Sequence, residues 1–151
     1  MPGSDERKLS KAKTLTSDTI VFDLEDGVPL ASKTVARGMV VSSLADPSLP
    51  PRAERAVRIN GVGSRLEDAD LKAILPSQHL QAIVIPKVEH AAHVKHVASL
   101  VDALSPVPGD VMLIACIESA LGLLNIREIA AAEPRLDALV VRVLTGRCAN
   151  A

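Results

Sequence analysis

Three carboxylates crowd one short segment: residues 22–27 read Phe-Asp-Leu-Glu-Asp-Gly, which places Asp23, Glu25 and Asp26 at the end of an aliphatic run. Their mutual repulsion is costly unless a cation or hydrogen-bond donors offset it. A hard divalent ion such as Mg2+, which takes few carboxylates and keeps several waters, is one way to offset it. The other is a turn capped by Asp23, with Glu25 and Asp26 facing water.

Further candidates stand singly at the ends of other aliphatic runs. Arg58 is a permanently charged fork that needs an anionic partner; it would clamp a substrate carboxylate at two points, or pair with Glu25 or Asp26. Asn60 either supports the same site or turns the chain. Lys87, after Pro86, reads as a Schiff-base or anion-binding lysine, or as an ion-pair partner of Glu89. Glu118 would bind a metal, or would be a helix-start acid, since Ser119 and an apolar stretch follow it. His90, His93 and His96 step by three along a predicted helix, a step that drifts around the axis, and they read as surface residues. The pair Gly61 and Gly63 is too short a motif for a phosphate loop.

Composition removes several classes. Phe22 is the only aromatic residue, so stacking platforms for single-stranded nucleic acid are missing. A formal charge of -1 gives no broad basic field for a phosphate backbone. The 48% apolar content argues for a folded core instead of disorder. Cys116 and Cys148 have neither metal-ligand spacing nor a disulfide framework, which fits a reducing compartment, and Cys116 reads as a small buried hydrophobe. No apolar stretch is long enough to cross a bilayer, and the charged first residues form no signal peptide.

The elements that must position these residues alternate. Runs rich in Val and Ile at residues 19–24, 56–59, 82–85, 111–117 and 138–143 lack polar alternation, as strands covered on both faces do. Helical patterns fill residues 33–44, 67–75, 91–104 and 121–132, the second with Ser64 as N-cap in a capping box with Glu67. Residues 46–52 and 105–110 read as loops within one domain. Five strands and four helices make an α/β fold, either an open sheet or a partial (β/α)8 (TIM) barrel. Charged residues at several C-terminal strand ends favour the barrel, and the lack of a glycine-rich turn after Leu24 counts against a dinucleotide-binding sheet.

Taken in order, PGSDERKLSKAKTL, VFDLEDGV followed by Lys33 and by Ala36 and Arg37, AVRING, AIVIPKVE, IESALGLLNIREIA and RLDALV cover nearly all of residues 2–140. In this the chain resembles the citrate lyase beta-subunit family, with its citramalyl-CoA and malyl-CoA lyases, inside the HpcH/HpaI aldolase group. The resemblance implies a (β/α)8 barrel, usually oligomeric, that makes or breaks a carbon–carbon bond beside an acyl-CoA thioester with the help of Mg2+. It implies Glu118 as a metal ligand, Arg58 as the clamp on the substrate carboxylate, and Glu25 and Asp26 as the acidic pair beside the metal and its waters. Cytoplasmic placement is expected, or mitochondrial as in animal relatives.

The departures set further expectations. The first strand of that family lies before the PG motif, and its second metal carboxylate follows RLDALV, where this chain has no acid after Asp137. Arg142 falls where a barrel interior should be apolar. Residues 1–140 are therefore expected to form a barrel domain cut at both ends, residues 141–151 a divergent tail, and the chain alone to be inactive or nearly so. It would then act only through assembly with a full-length homologue.

Overall fold

The computed structural model describes residues 1–105 and 111–142. Among them lie five strands, β1 (Thr19–Asp23), β2 (Glu54–Arg58), β3 (Ala82–Ile85), β4 (Met112–Ile117) and β5 (Leu136–Val141). The helices are α1 (Glu6–Lys11), α2 (Lys33–Leu44), α3 (Glu67–Ile74), α4 (Ala91–Leu104), α5 (Ala120–Leu124) and α6 (Ile126–Ala130). All neighbouring strands are parallel, in the order β1-β2-β3-β4-β5. Each strand pairs with the next in sequence, so the sheet has no reversal of order and no switch point. That is the winding of a (β/α) barrel and not of a doubly wound sheet. Cys148, most of the predicted 105–110 loop and the tail from residue 143 lie outside the described residues.

Register explains which side chains reach the site. Asp23 pairs with Arg58, Arg58 with Val84 and Val84 with Ile114. Side chains alternate along a strand, so these residues share one face. The other face, with Phe22, Val57, Ile59, Ile83, Ile85, Leu113 and Ile117, is buried under the helices in the main core. The first face carries a second, smaller apolar cluster of Ala56, Ala82, Val84 and Cys116. Small side chains there and larger aliphatic ones outside suit a curved sheet whose concave face is a lumen. The charges stand at the C-terminal rim of that lumen.

Several expectations need correction. Residues 6–11 form a helix that the sequence reading passed over. Asp5 caps it, accepting from the Lys8 N–H at 3.0 Å, while Leu9 turns into the core. The helix expected over residues 121–132 is broken into α5 and α6 at Asn125, whose side-chain amide donates to the Glu89 carbonyl at 2.8 Å. Ser64 is not the N-cap of α3, which begins only at Glu67; Glu67 reaches back instead to the Gly63 N–H and the Ser64 hydroxyl. At the other edge, residues 1–3 run beside β1, with the Asp23 N–H donating to the Met1 carbonyl and the Gly3 N–H to the Asp23 carbonyl. No helix of the described residues is long and apolar enough to cross a membrane.

Candidate active site

Asp23 ends β1 with both carboxylate oxygens engaged. Arg58 Nε and Nη2 donate to Oδ1 and Oδ2 at 2.8 Å each, and the N–H groups of Glu25 and Gly27 donate to the same two oxygens at 2.8 and 3.0 Å. Burial pushes this carboxyl up, but the Arg58 and backbone hydrogen bonds outweigh it and hold Asp23 below the ordinary carboxylate value. The turn needs glycine at position 27, where a Cβ would stand 2.6 Å from Asp23 Oδ2. Asp23 thus caps the turn and also fixes the arginine. Arg58 takes Asp23 as its two-point partner, and its Nη1 lies 3.1 Å from Glu25 Oε2, with no contact to Asp26. Its hydrogen bonds to Asp23, together with those carboxylate charges, keep the guanidinium charged far beyond its ordinary range.

Glu25 is buried, and its two oxygens differ. Oε1 lies 2.8 Å from Lys87 Nζ. Oε2 has the Arg58 charge nearby, but the geometry makes no hydrogen bond, so the atom is buried without a donor. Lys87 also meets the exposed Asp26 at 3.2 Å. The expected pairing with Glu89 is therefore corrected: Lys87 crosses above β2 to the acids after β1. Hydrogen bonding to Glu25 and then to Asp26 raises its pKa above the ordinary lysine value. A cleft of about 300 Å³ opens here, lined in part by Glu25, Asp26, Asn60 and Lys87.

Under the acidic turn lies a layer that sequence reasoning missed. Lys33, buried at the start of α2, donates to the carbonyls of Leu24 and Glu25 and to Asn60 Oδ1 at 2.6 to 2.7 Å. Desolvation lowers its pKa, against the attraction of Asp70, Asp23, Glu25 and Asp26. Asn60 donates through Nδ2 to Leu24 O and Asp70, and its N–H also meets Asp70. Asp70 is wholly buried and accepts from Arg37 Nε at 2.7 Å. Asn60 thus braces the acidic turn through Leu24 and Lys33, while the chain turns after it, where the Ser64 N–H donates to the Gly61 carbonyl. A signal was available: Glu67, Asp70, Leu71 and Ile74 form the buried stripe of α3, and an acid on a core stripe demands a partner.

Glu118 follows β4 on the face shared by Ile114 and Cys116. It is half-buried, in a cleft of about 270 Å³ lined also by Leu123, Val141 and Arg142. Among the described residues it makes no hydrogen bond or ion pair. Ser119 is the N-cap of α5, its hydroxyl accepting from the Gly122 N–H at 3.1 Å, so Glu118 stands just outside the helix. Cys116 is buried, as expected, and burial, with the Glu118 charge second, pushes its thiol up to about 11. Arg142 is exposed. His90 and His96 are exposed and His93 half-buried, away from the acids. A cavity of about 540 Å³ between α1 and α2 contains none of these residues.

No group of three or more His, Cys, Asp or Glu side chains among the described residues is arranged to hold a metal. The donor set still fits a hard cation. Glu25 Oε2 is buried without a donor, Glu118 is unpaired, and all available ligands are oxygens.

Comparison with known proteins agrees with this architecture. The profile of the HpcH/HpaI aldolase/citrate lyase family matches residues 1–142. A (3S)-malyl-CoA thioesterase of Cereibacter sphaeroides is 42% identical over 141 residues, which cover 93% of this chain and 46% of the relative. The human mitochondrial citramalyl-CoA lyase is 36% identical over 136 residues, covering 85% of this chain and 39% of the relative. Among solved structures, CitE of Mycobacterium tuberculosis, in complex with magnesium and acetate, superposes with a TM-score of 0.71 at 31% identity, covering 93% of this chain and 51% of that one. The chain thus spans about half the length of the relatives it matches.

Proposed function

This chain belongs to the HpcH/HpaI aldolase/citrate lyase family, and from that premise we propose that it carries the substrate-anchoring side of a Mg2+-assisted site acting on CoA thioesters of hydroxy acids, of the malyl or citramalyl type. The observation that carries this reading is the rim itself. Arg58, Glu25, Asp26 and Glu118 all stand at C-terminal strand ends of a parallel barrel-type sheet, where such barrels do their chemistry. Cytoplasm or mitochondrial matrix is the compartment that goes with it.

Each residue then has a task. Glu118, with Glu25 and Asp26 directly or through waters, would hold the ion. When bound, Mg2+ supplies Lewis-acid polarisation of a substrate oxygen. Asp23 takes one edge of Arg58 in a fork and fixes its plane, leaving N–H groups on the other edge for a substrate carboxylate. Because Arg58 stays charged at every accessible pH, the clamp needs no proton bookkeeping. Lys33 and Asn60 hold the carbonyls of the acidic turn and keep Glu25 in place.

The relatives bear names for two activities, and the products separate them. Hydrolysis of the thioester releases a free CoA thiol. Cleavage of the carbon–carbon bond leaves a shorter thioester and a 2-oxo acid. The test is incubation of the chain with malyl-CoA or citramalyl-CoA and Mg2+, following thiol and 2-oxo acid together. Turnover that vanishes on chelation and in Arg58→Met supports the reading, and no turnover at any concentration counts against catalysis by the chain alone.

One observation favours a second reading. Leu121, Leu123, Leu124, Val140 and Val141 are exposed, Leu124 at 82%, and Leu123 and Val141 line the Glu118 cleft. That apolar flank suits a chain without catalysis of its own, which works through assembly with a longer homologue. Co-purification with such a homologue, together with no turnover alone, would select it.

A further inference from the structure

Lys87 has an unusual backbone for its residue type. Its φ is +51°, in the left-handed region where a side chain with a Cβ is strained. The chain on its far side is firmly held. The Val88 N–H donates to the Cys116 carbonyl at 2.9 Å, Asn125 donates to the Glu89 carbonyl at 2.8 Å, and Gly122 is so close to the Val88 carbonyl that a Cβ would come within 2.5 Å. Three contacts, from β4, from α5 and from Asn125 after it, therefore hold the turn, and the turn aims Lys87 back over the rim onto Glu25 and Asp26. The side chain is half exposed, whereas its partner Glu25 is buried. Lys87 is thus a half-exposed stem carrying a charge onto a buried carboxylate.

Glu25 ends up between two cations, yet one of its buried oxygens lacks a hydrogen-bond donor. Both cations are shared, Arg58 with Asp23 and Lys87 with Asp26, so Glu25 is flanked by charge but not saturated in bonds. We propose that Lys87 is a displaceable internal counter-cation: its ammonium occupies the cation position of Glu25 and Asp26 until a divalent ion binds there, and then swings into the adjoining cleft by Asn60 and Ser64. This rests on the reading of Glu25 and Asp26 as neighbours of the metal. Until the ion arrives, Lys87 holds the acids in place through its ion pairs. Once displaced, it adds a positive charge to the cleft, where an anionic part of the substrate would meet it. Lysine suits this task better than arginine, because its ammonium is a compact point charge on a flexible stem, whereas the Arg58 fork is locked by Asp23.

The test titrates Mn2+ against the full 151-residue chain and follows free ion by electron paramagnetic resonance. Lys87→Met keeps the stem and removes the charge, Lys87→Arg keeps the charge, and Glu118→Gln removes the other candidate ligand. Lys87→Met should bind Mn2+ roughly five- to tenfold tighter than the parent, the loss of about one ion pair's worth of competition. Lys87→Arg should stay near the parent. Labelling of the parent's Lys87 by an acetylating ester should quicken at saturating Mn2+, relative to the exposed Lys72. Equal or weaker binding by Lys87→Met, or labelling indifferent to the ion, overturns the inference. If only Glu118→Gln changes affinity, the metal reading stands without Lys87. If only Lys87→Met does, the ion sits on the acid pair and the role of Glu118 fails. If neither parent nor Lys87→Met binds Mn2+, both ideas fall together.

Discussion

The two sides of the rim are built differently. At β1 and β2 the charges are bonded in a chain, Asp23 to Arg58, Lys33 to Asn60, Asn60 to Asp70 and Asp70 to Arg37, with Glu25 Oε2 and Arg37 Nη2 the buried atoms left without a hydrogen bond among the described residues. At β4 and β5 the one acid of interest, Glu118, is unpaired, and its surroundings are exposed leucine and valine. The first side spends its polar groups on one another and is fixed by them. The second leaves its acid free, beside an apolar flank that water wets. On the proposed function, such a site would separate anchoring, which needs rigidity, from ion binding, which needs an unsatisfied ligand.

The sharpest way to break this contrast is to remove one acid from each side. Asp70→Ala leaves Arg37 without its carboxylate and orphans the Asn60 amide, and it should cost about 3 to 5 kcal/mol in urea unfolding. Glu118→Ala removes a group without a partner and should stay within about 0.5 kcal/mol. Equal losses would mean that Glu118 is as structurally engaged as Asp70, and the contrast would be gone.

Asp23→Asn tests the saturated side at the rim itself. It keeps the shape, removes the charge that Arg58 needs, and should cost about 2 to 3 kcal/mol. It should also change the pH dependence. Asp23 is held below its ordinary value of 3.8, so its contribution is complete above that value and is lost as pH falls through the lower, folded-state value. The parent should therefore lose stability on acidification below about pH 4 more steeply than Asp23→Asn. Parallel acid limbs in the two proteins would show that Asp23 adds nothing through its charge.

The same contrast explains what could be read in advance. The strands were legible because short, β-branched runs without polar alternation, such as residues 82–85, recur between helical patterns at the spacing of βα units. Asp23 and Arg58 were legible as residues, since charges that end aliphatic runs stand out, but their pairing was not. Of the expected partners Glu25 does meet Arg58, at 3.1 Å, and Asp26 does not, while only the register of β1 against β2 puts Asp23 opposite it. Lys33 and Asp70 stayed hidden because their partners come from other elements. The break at Asn125 stayed hidden for the same reason, its partner being the Glu89 carbonyl 36 residues earlier. Local pattern shows where a side chain is unusual; long-range contact decides what it does.

One point on the open side is predicted to be rigid, and it limits the comparison. Gly122 is buried against the Val88 carbonyl, so Gly122→Ala forces α5 away from the turn that aims Lys87. The expected loss is about 1 to 3 kcal/mol, smaller than at Asp23 or Asp70 only if α5 yields. Hydrogen exchange at the Val88 amide, which is bonded to Cys116, should rise with it. An unchanged Val88 amide would show that the turn is held from the β3 side instead.

The smallest stability effect is expected where the surface looks least comfortable. Leu124 is 82% exposed and Val141 49% exposed, so replacing them with Ser and Thr removes almost no contact with the core. The double variant should unfold within about 0.5 kcal/mol of the parent. Its association is another matter. An exposed apolar flank is a surface for association, and polar residues there should lower self-association in light scattering at raised protein concentration. If scattering falls while Mn2+ affinity holds, the flank is a docking surface separable from the ion site. If scattering and affinity fall together, whatever covers the flank also completes the coordination at Glu118, and the open side of the rim is open only until its partner arrives.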